Sequence, residues 1–185
     1  NGRLGHGDTA NKWVLTQVGV DFGGVQIVHV AACFTHSAAV GADGSVWTWG
    51  AGMYGRLGHI NEQDRLVPTQ MAGETLGRVN VVLVALGSIH IVAVADDGSL
   101  FVWGYGLYGH LGLGDNANRP TPTRMDAEAF GGSRVLTAAC GNTHTLVVTE
   151  NGAIFSFDDG PGGIDILGHN NENSRLVPKL IEAQN

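Results

Sequence analysis

Three histidines, His36, His90 and His144, stand 54 residues apart. Two cysteines, Cys33 and Cys140, lie a few residues before the first and last of them. Histidine and cysteine at recurrent spacing raise two chemistries, a zinc site and a thiol nucleophile with an imidazole base. Zinc needs its ligands within about 2 Å of one ion. Residues 54 apart at equivalent points of a repeat lie one structural unit apart, so each histidine is expected to make a repeated structural hydrogen bond instead. Both cysteines close apolar runs and no G-x-S-x-G elbow occurs, so buried, inert thiols are expected rather than a nucleophile. His6, His59 and His169 follow the glycine-rich phrases, with Leu113 in the equivalent place, and read as variation that the fold tolerates.

Those phrases could cradle phosphate. "WGAGMYGRLGH" (49–59) and "WGYGLYGHLGL" (103–113) are nearly the same words. A Walker loop needs a Lys followed by Ser or Thr after its last glycine, and neither copy has one. A dinucleotide fingerprint sits once, where a strand meets a helix. Here the phrase recurs and leads to another strand, so its glycines are assigned to tight connections. No metal or other cofactor is expected.

The elements that carry these residues repeat as well. Between His36–Gly58 and His90–Gly112, 13 of 23 positions are identical. The chain reads as one repeat domain over 1–185, with units near 2–54, 55–108 and 109–164 and a partial unit at 165–185. Each unit offers four short strands. "RLVPTQM" (65–71) has counterparts at 119–125, at 175–181 and, without proline, at 12–18 ("KWVLTQV"). A recurrent proline (Pro68, Pro122, Pro178) marks an edge strand, because proline cannot donate to a ladder. The next strand, "VNVVLVALG" (79–87), is apolar at nearly every position and is expected to be covered on both faces. A third strand follows each repeated histidine. A fourth follows Asp43-Gly44, Asp97-Gly98 or Asn151-Gly152, dipeptides that favour a two-residue type I′ turn. The expected fold is therefore all-β, a β-propeller of four-stranded antiparallel blades with about three blades plus a partial unit. No 3.6-residue apolar period supports a helical solenoid.

These phrases resemble the regulator of chromosome condensation family. The resemblance rests on G-x-L-G-x-G-D (Gly2–Asp8, Gly109–Asp115), the edge-strand proline, G-x-x-H (Gly87–His90, Gly141–His144), the D-G turn and W-G (Trp49, Trp103). It implies half of a seven-bladed propeller. The repeat positions His36, His90, His144, Gly44, Gly98, Gly152, Trp49 and Trp103 are then structural. The family includes an exchange factor for the small GTPase Ran, domains of ubiquitin ligases, a plant ultraviolet receptor and inhibitors of other proteins. What they share is a protein-binding surface. This chain departs from the pattern in two places. Cys33 replaces the glycine of G-x-x-H, and the third unit reads "FDDGPGGIDILG" (157–168), two residues longer and without its Trp. The receptor's Trp-bearing turn is absent from "CFTHS", "GSIHI" and "GNTHT", so light sensing is not inferred.

Composition narrows the partner. The 185 residues carry a net charge of −7, with 10 bases against 17 acids and no basic run. Nucleic acid is excluded as a partner on that balance. No stretch is long and apolar enough to span a bilayer as a helix. Two cysteines are too few for a disulfide framework, which points to an intracellular home, cytoplasmic or nuclear. Strand alternation sorts the loops onto two faces. One face collects the D-G turns with the loops 19–26, 71–78 and 125–134, which differ between units. Asp21, Glu74, Asp126 and Glu128, beside Phe22 and Phe130, form the candidate partner site there. The expected function is non-enzymatic protein binding, with nucleotide exchange on a Ran-type GTPase as the alternative. An arc of three blades leaves apolar end faces, so the chain is expected either to belong to a longer polypeptide or to form a homodimer that completes a propeller.

Overall fold

A computed structural model describes residues 1–158, Leu167, His169 and 175–182. Twelve strands form three four-stranded antiparallel sheets. The first blade holds β1 (Ile27–Ala32), β2 (His36–Gly41), β3 (Val46–Gly50) and β4 (Arg65–Gln70). The second holds β5 (Val81–Leu86), β6 (His90–Ala95), β7 (Leu100–Gly104) and β8 (Arg119–Arg124). The third holds β9 (Val135–Cys140), β10 (Thr145–Thr149), β11 (Ile154–Asp158) and β12 (Arg175–Leu180). Within each blade the strands lie side by side in chain order.

The phase of the blades differs from the sequence reading. The proline strand does not open a blade but closes the preceding one. β4 pairs with β3, across Trp47↔Gln70 and Thr48↔Thr69. It is an edge strand, as its proline requires. The register jumps from Thr48↔Thr69 to Gly50↔Arg65, which places Pro68 in a bulge where no ladder donor is needed. The same jump recurs on β8 and β12. Residues 12–18, expected as a strand by analogy, are not one. A strand exists only in a ladder, and all three third strands already pair with a fourth. Trp13, Val14 and Leu15 are accordingly exposed.

Burial corrects a second expectation. The strands covered on both faces are the second and third of the first two blades, where every residue is buried. The first strand of each blade is only partly covered. Val28, Val82 and Leu136, at equivalent positions, are all exposed. Each is the extra residue of a β-bulge, skipped where the register passes from Ile27 to His29, from Val81 to Leu83 and from Val135 to Thr137.

The hairpins also differ in detail from a type I′ turn. Gly44 N–H donates to Gly41 O (2.9 Å) and Gly41 N–H to Ser45 O (2.9 Å), which closes a three-residue loop. Only the glycine, Gly44, has positive φ (78°), and Gly98 and Gly152 repeat it at 80°. This is a turn followed by a left-handed glycine, the usual three-residue hairpin. Asp43 Oδ1 completes it by accepting from Ser45 N–H (3.0 Å).

Two cores weld the blades. Ala38, Val40 and Val46 of the first pack on Ile91, Ala93 and Trp103 of the second. Val92, Val94 and Val102 of the second pack on Val135, Val147 and Phe157 of the third. The glycine-rich connections act as straps over these junctions. Gly7 N–H donates to Leu66 O, Ile60 N–H to Pro120 O and Gly114 N–H to Leu176 O, each to the edge strand of the next blade. A Cβ on Gly55 would lie 2.4 Å from Pro120 Cα. The structural reading of these glycines therefore has a geometric basis.

Candidate functional site

The repeated histidines reach from blade to blade. His36 and His90 are fully buried, and His144 is half-buried. The His90 ring Nε2 lies 3.0 Å from Thr145 Oγ1 on β10 of the next blade. The His36 ring is hydrogen-bonded to the His90 backbone in the same sense. Burial holds both imidazoles neutral, with pKa values lowered to about 3. Arg56 adds to the effect at His36, and His110 at His90. Each ring also explains the glycine three residues earlier. A Cβ on Gly87 would sit 2.1 Å from the His90 ring, and one on Gly141 2.0 Å from the His144 ring. Cys33 breaks that rule in the first blade. Its Sγ lies 3.0 Å from His36 Nδ1, so here the ring meets a sulfur where the other two blades have a glycine. Burial pushes the Cys140 thiol up to about 12, which makes it unreactive at neutral pH. Among the described residues no cluster of three or more His, Cys, Asp or Glu could hold a metal ion.

The loop histidines are more than variation. His59 Nε2 lies 3.0 Å from Thr48 Oγ1, and His169 Nε2 lies 2.8 Å from Ser156 Oγ. In the second blade the hydroxyl position is Val102 and the histidine position Leu113. Hydroxyl goes with histidine and valine with leucine, because a hydroxyl that donates elsewhere still has an acceptor site for a ring N–H, whereas a valine has none. The paired change at 54-residue spacing was visible in the sequence, but its meaning needed the contact. The same hydroxyls also donate to backbone, Thr48 to Leu57 O and Ser156 to Leu167 O.

Trp49 and Trp103 face the straps. Trp49 Nε1 donates to Arg3 O (2.9 Å), and a Cβ on Gly58 would lie 2.9 Å from Trp103 Nε1. The motif arginine crosses the same junctions. Arg3 donates to Phe34 O (2.8 Å), and the buried Arg56 donates to Thr35 Oγ1 and Ser88 O.

The candidate partner face is where the antiparallel order puts it. The D-G turns bring Asp43, Asp96, Asp97 and Glu150 to the same end of the sheets as the loops bearing Asp21, Glu74, Asp126 and Glu128. With Glu182 past the end of β12, nine of the seventeen acids therefore share that face with three of the ten bases, Arg78, Arg124 and Arg134. Two of the acids shape their loops. Asp21 Oδ1 accepts from Gly23 N–H (2.9 Å) and Asp126 Oδ1 from Glu128 N–H (3.2 Å), each capping a short 3₁₀ turn. Glu74 and Glu128 stay exposed in the first turn of theirs. The aromatic anchors do not stand out from this face. Phe130 is 3 % exposed and meets Phe155 edge-on, so it plugs the junction of the second and third blades. Phe22 is half-buried edge-on against Trp47. An apolar ring beside a sheet is drawn into the nearest core, and sequence alternation alone gave no sign of that.

The pattern of the Regulator of chromosome condensation (RCC1) repeat matches residues 43–94 and 97–148. The chain belongs to that repeat family. The long connection of the third unit, 157–168, lies beyond the matched residues and falls mostly outside the described ones. The ultraviolet-B receptor UVR8 of Arabidopsis thaliana is 35 % identical over 182 residues, which is 98 % of this chain and 40 % of the receptor. The E3 ubiquitin-protein ligase HERC2 of Homo sapiens is 37 % identical over 187 residues, again 98 % of this chain but 4 % of the ligase. Among solved structures, human WBSCR16 superposes with a TM-score of 0.78 at 30 % identity, over 97 % of this chain and 44 % of that one. Prp20p of Saccharomyces cerevisiae shares the fold, with a TM-score of 0.73 at 20 % identity, over 85 % of this chain and 38 % of that one. The RCC1-repeat chain thus spans less than half the length of these relatives.

Proposed function

We propose that this RCC1-repeat region is an intracellular protein-binding module with no chemistry of its own, working in the cytoplasm or the nucleus. The observation that carries the reading is the contrast on one face. Loops that differ between units, and a strong excess of carboxylates, stand on strands that repeat. A rigid repeated frame with variable loops is how a scaffold presents a recognition surface. The acidic excess favours a partner with a basic surface and speeds their encounter at low salt. Reversing Glu74, Asp126 and Glu128 to lysine should lower capture of the cognate protein at least tenfold in a cross-linked pull-down. An equal loss from reversing Glu62 and Asp64, in a connection at the other end of the sheets, would refute the assignment of the face.

Nucleotide exchange on a Ran-type GTPase is the second reading. It is favoured by the fold shared with Prp20p, whose structure is described with its binding to Gsp1p and histones. No residue of this chain is assigned to that activity. Labelled-nucleotide release from Ran should stay at its spontaneous rate, and a dose-dependent acceleration would put exchange first.

The end faces support an assembly. Val30 is 67 % exposed, whereas its equivalent Val84, covered by the preceding blade, is 2 % exposed. Ile154 at the other end is 42 % exposed against 2 % for its equivalent Leu100. Each end is thus shaped and coloured for another blade, supplied by a longer polypeptide or by a second copy. Sedimentation equilibrium of the 185-residue chain should show self-association at micromolar concentration. A stable monomer there would sink the homodimer.

A further inference from the structure

Two equivalent clefts open on the loop face, one at each blade junction. The first, between blades one and two, has a volume of about 370 Å³. Its floor is Val46, Met71, Leu76 and Val79, and its rim carries Asp43 and Glu74. The second, 54 residues on, is only about 80 Å³. The difference lies in what fills it. Phe130 stands where the first cleft has Leu76, and two arginines, Arg124 and Arg134, stand where it has Gln70 and Asn80. Arg124 Nη2 donates to Ser99 Oγ (2.6 Å) and lies 3.8 Å from Asp97 Oδ2. Arg134 Nη2 donates to Asp96 O (2.5 Å). The second cleft is therefore rimmed by guanidinium groups of the protein's own exposed side chains.

The first cleft keeps the acceptors and lacks the cation. Asp43 and Ser45 stand where Asp97 and Ser99 do, on the same hairpin geometry. Ser45 Oγ accepts from Trp47 Nε1 (3.2 Å), and a hydroxyl has a second acceptor site to offer. Gln70 carries no charge to place there, and Asn80 is turned to Asp96 Oδ2 (3.0 Å). We propose that this cleft is a docking site for an arginine side chain of a partner protein. The guanidinium would take the place that Arg124 holds one blade on, between the Asp43 carboxylate and the Ser45 hydroxyl. Its aliphatic stem would lie on Met71 and Leu76, and Glu74 would complete the charge. A planar fork suits two acceptors on one hairpin better than the point charge of lysine does. Arg78 on the rim opposes a second cation. It holds a left-handed φ of 63° where the neighbouring loops have Gly24 and Gly132. The proposal rests on the protein-binding reading and names the partner chemistry of the same face.

The test is an amide chemical-shift titration of the 185-residue chain with N-acetyl-arginine amide, and with N-acetyl-citrulline amide as the uncharged isostere. The arginine probe should move the amides of Asp43, Gly44, Ser45 and Glu74 saturably and leave Asp97–Ser99 unmoved. Gln70→Arg, which copies the next blade, should fill the cleft from within and weaken the probe at least tenfold. Asp43→Asn should do the same with the turn intact, since Asn151 occupies that position in the third blade. Arg78→Gly should tighten binding several-fold. Equal shifts with citrulline, no saturable shift at these amides, or unchanged binding in both Gln70→Arg and Asp43→Asn would overturn the proposal. If the cognate protein is still captured by the loop face in that event, the docking site falls and the module reading stands. If capture is lost as well, both fall.

Discussion

Lowering the pH from 7 to 4.5 should remove most of the stability of this fold. His36 and His90 have their pKa values lowered by burial to about 3, from an ordinary 6.5. Above pH 6.5 neither state binds the proton and the histidines do not affect the balance. As pH falls below 6.5 the unfolded chain takes up protons that the folded one refuses, so stability is lost progressively down to about pH 3. The slope is about 1.4 kcal/mol per pH unit for each histidine, so the pair removes roughly 5 kcal/mol by pH 4.5. Small domains have only about 5–15 kcal/mol in total. The carboxylates held below their ordinary range, Asp8 by Lys12 and Asp43 by Ser45, act only nearer pH 4 and do not cover this window. Urea melts at half-unit intervals between pH 8 and 4.5 measure the slope, and His90→Gln should lower it, leaving His36 and His59, whose pKa burial also lowers, to carry the rest. A midpoint that stays flat from pH 7 to 5 would show that these imidazoles are not buried neutral.

Gly55→Ala should cost about 2–5 kcal/mol, far more than a surface glycine. Two terms add. The residue has a φ of +72°, where an alanine costs about 1–2 kcal/mol. Its Cβ would also meet the Pro120 backbone at 2.4 Å, an overpacking that typically costs about 1–3 kcal/mol. The clash falls on the edge strand of the next blade, so the strap and not only the loop should loosen. Gly73→Ala, with nothing within 4 Å of the new Cβ and an ordinary φ, is the control and should change stability by less than about 0.5 kcal/mol. Thermal melts of the two variants decide it, and equal melting temperatures would refute the strap.

The period of 54, four strands to a unit, the edge prolines and the all-β class were legible because each is a local pattern. The phase of the blades was not. A repeating sequence has no marked origin, and the segment 65–70 could be joined to the strand before it or the strand after it with equal local sense. Only the ladder from Trp47 to Gln70 decides. The exposure of Val28, Val82 and Leu136 was hidden for a related reason. An apolar run reads alike whether every residue sits in the ladder or one is bulged out of it. At the candidate face the acids were placed correctly by strand alternation. The aromatics were not, because whether Phe130 points out or into a junction depends on the blade beside it. The arginine-filled second cleft was spelled out by Arg124 and Arg134, but their meaning needed Asp97 and Ser99 brought within reach.

The shared fourth strand has an arithmetical consequence. In the first two blades the last strand follows the third across the same offset, so the stitching looks the same after a shift of one period. Excising 54 consecutive residues from within 51–118 would join half of one unit to the matching half of the next and leave two whole blades. Cutting out half a unit would leave a third strand without its fourth. Gain and loss of blades in such a chain is therefore quantised, and the place of the cut matters less than its length.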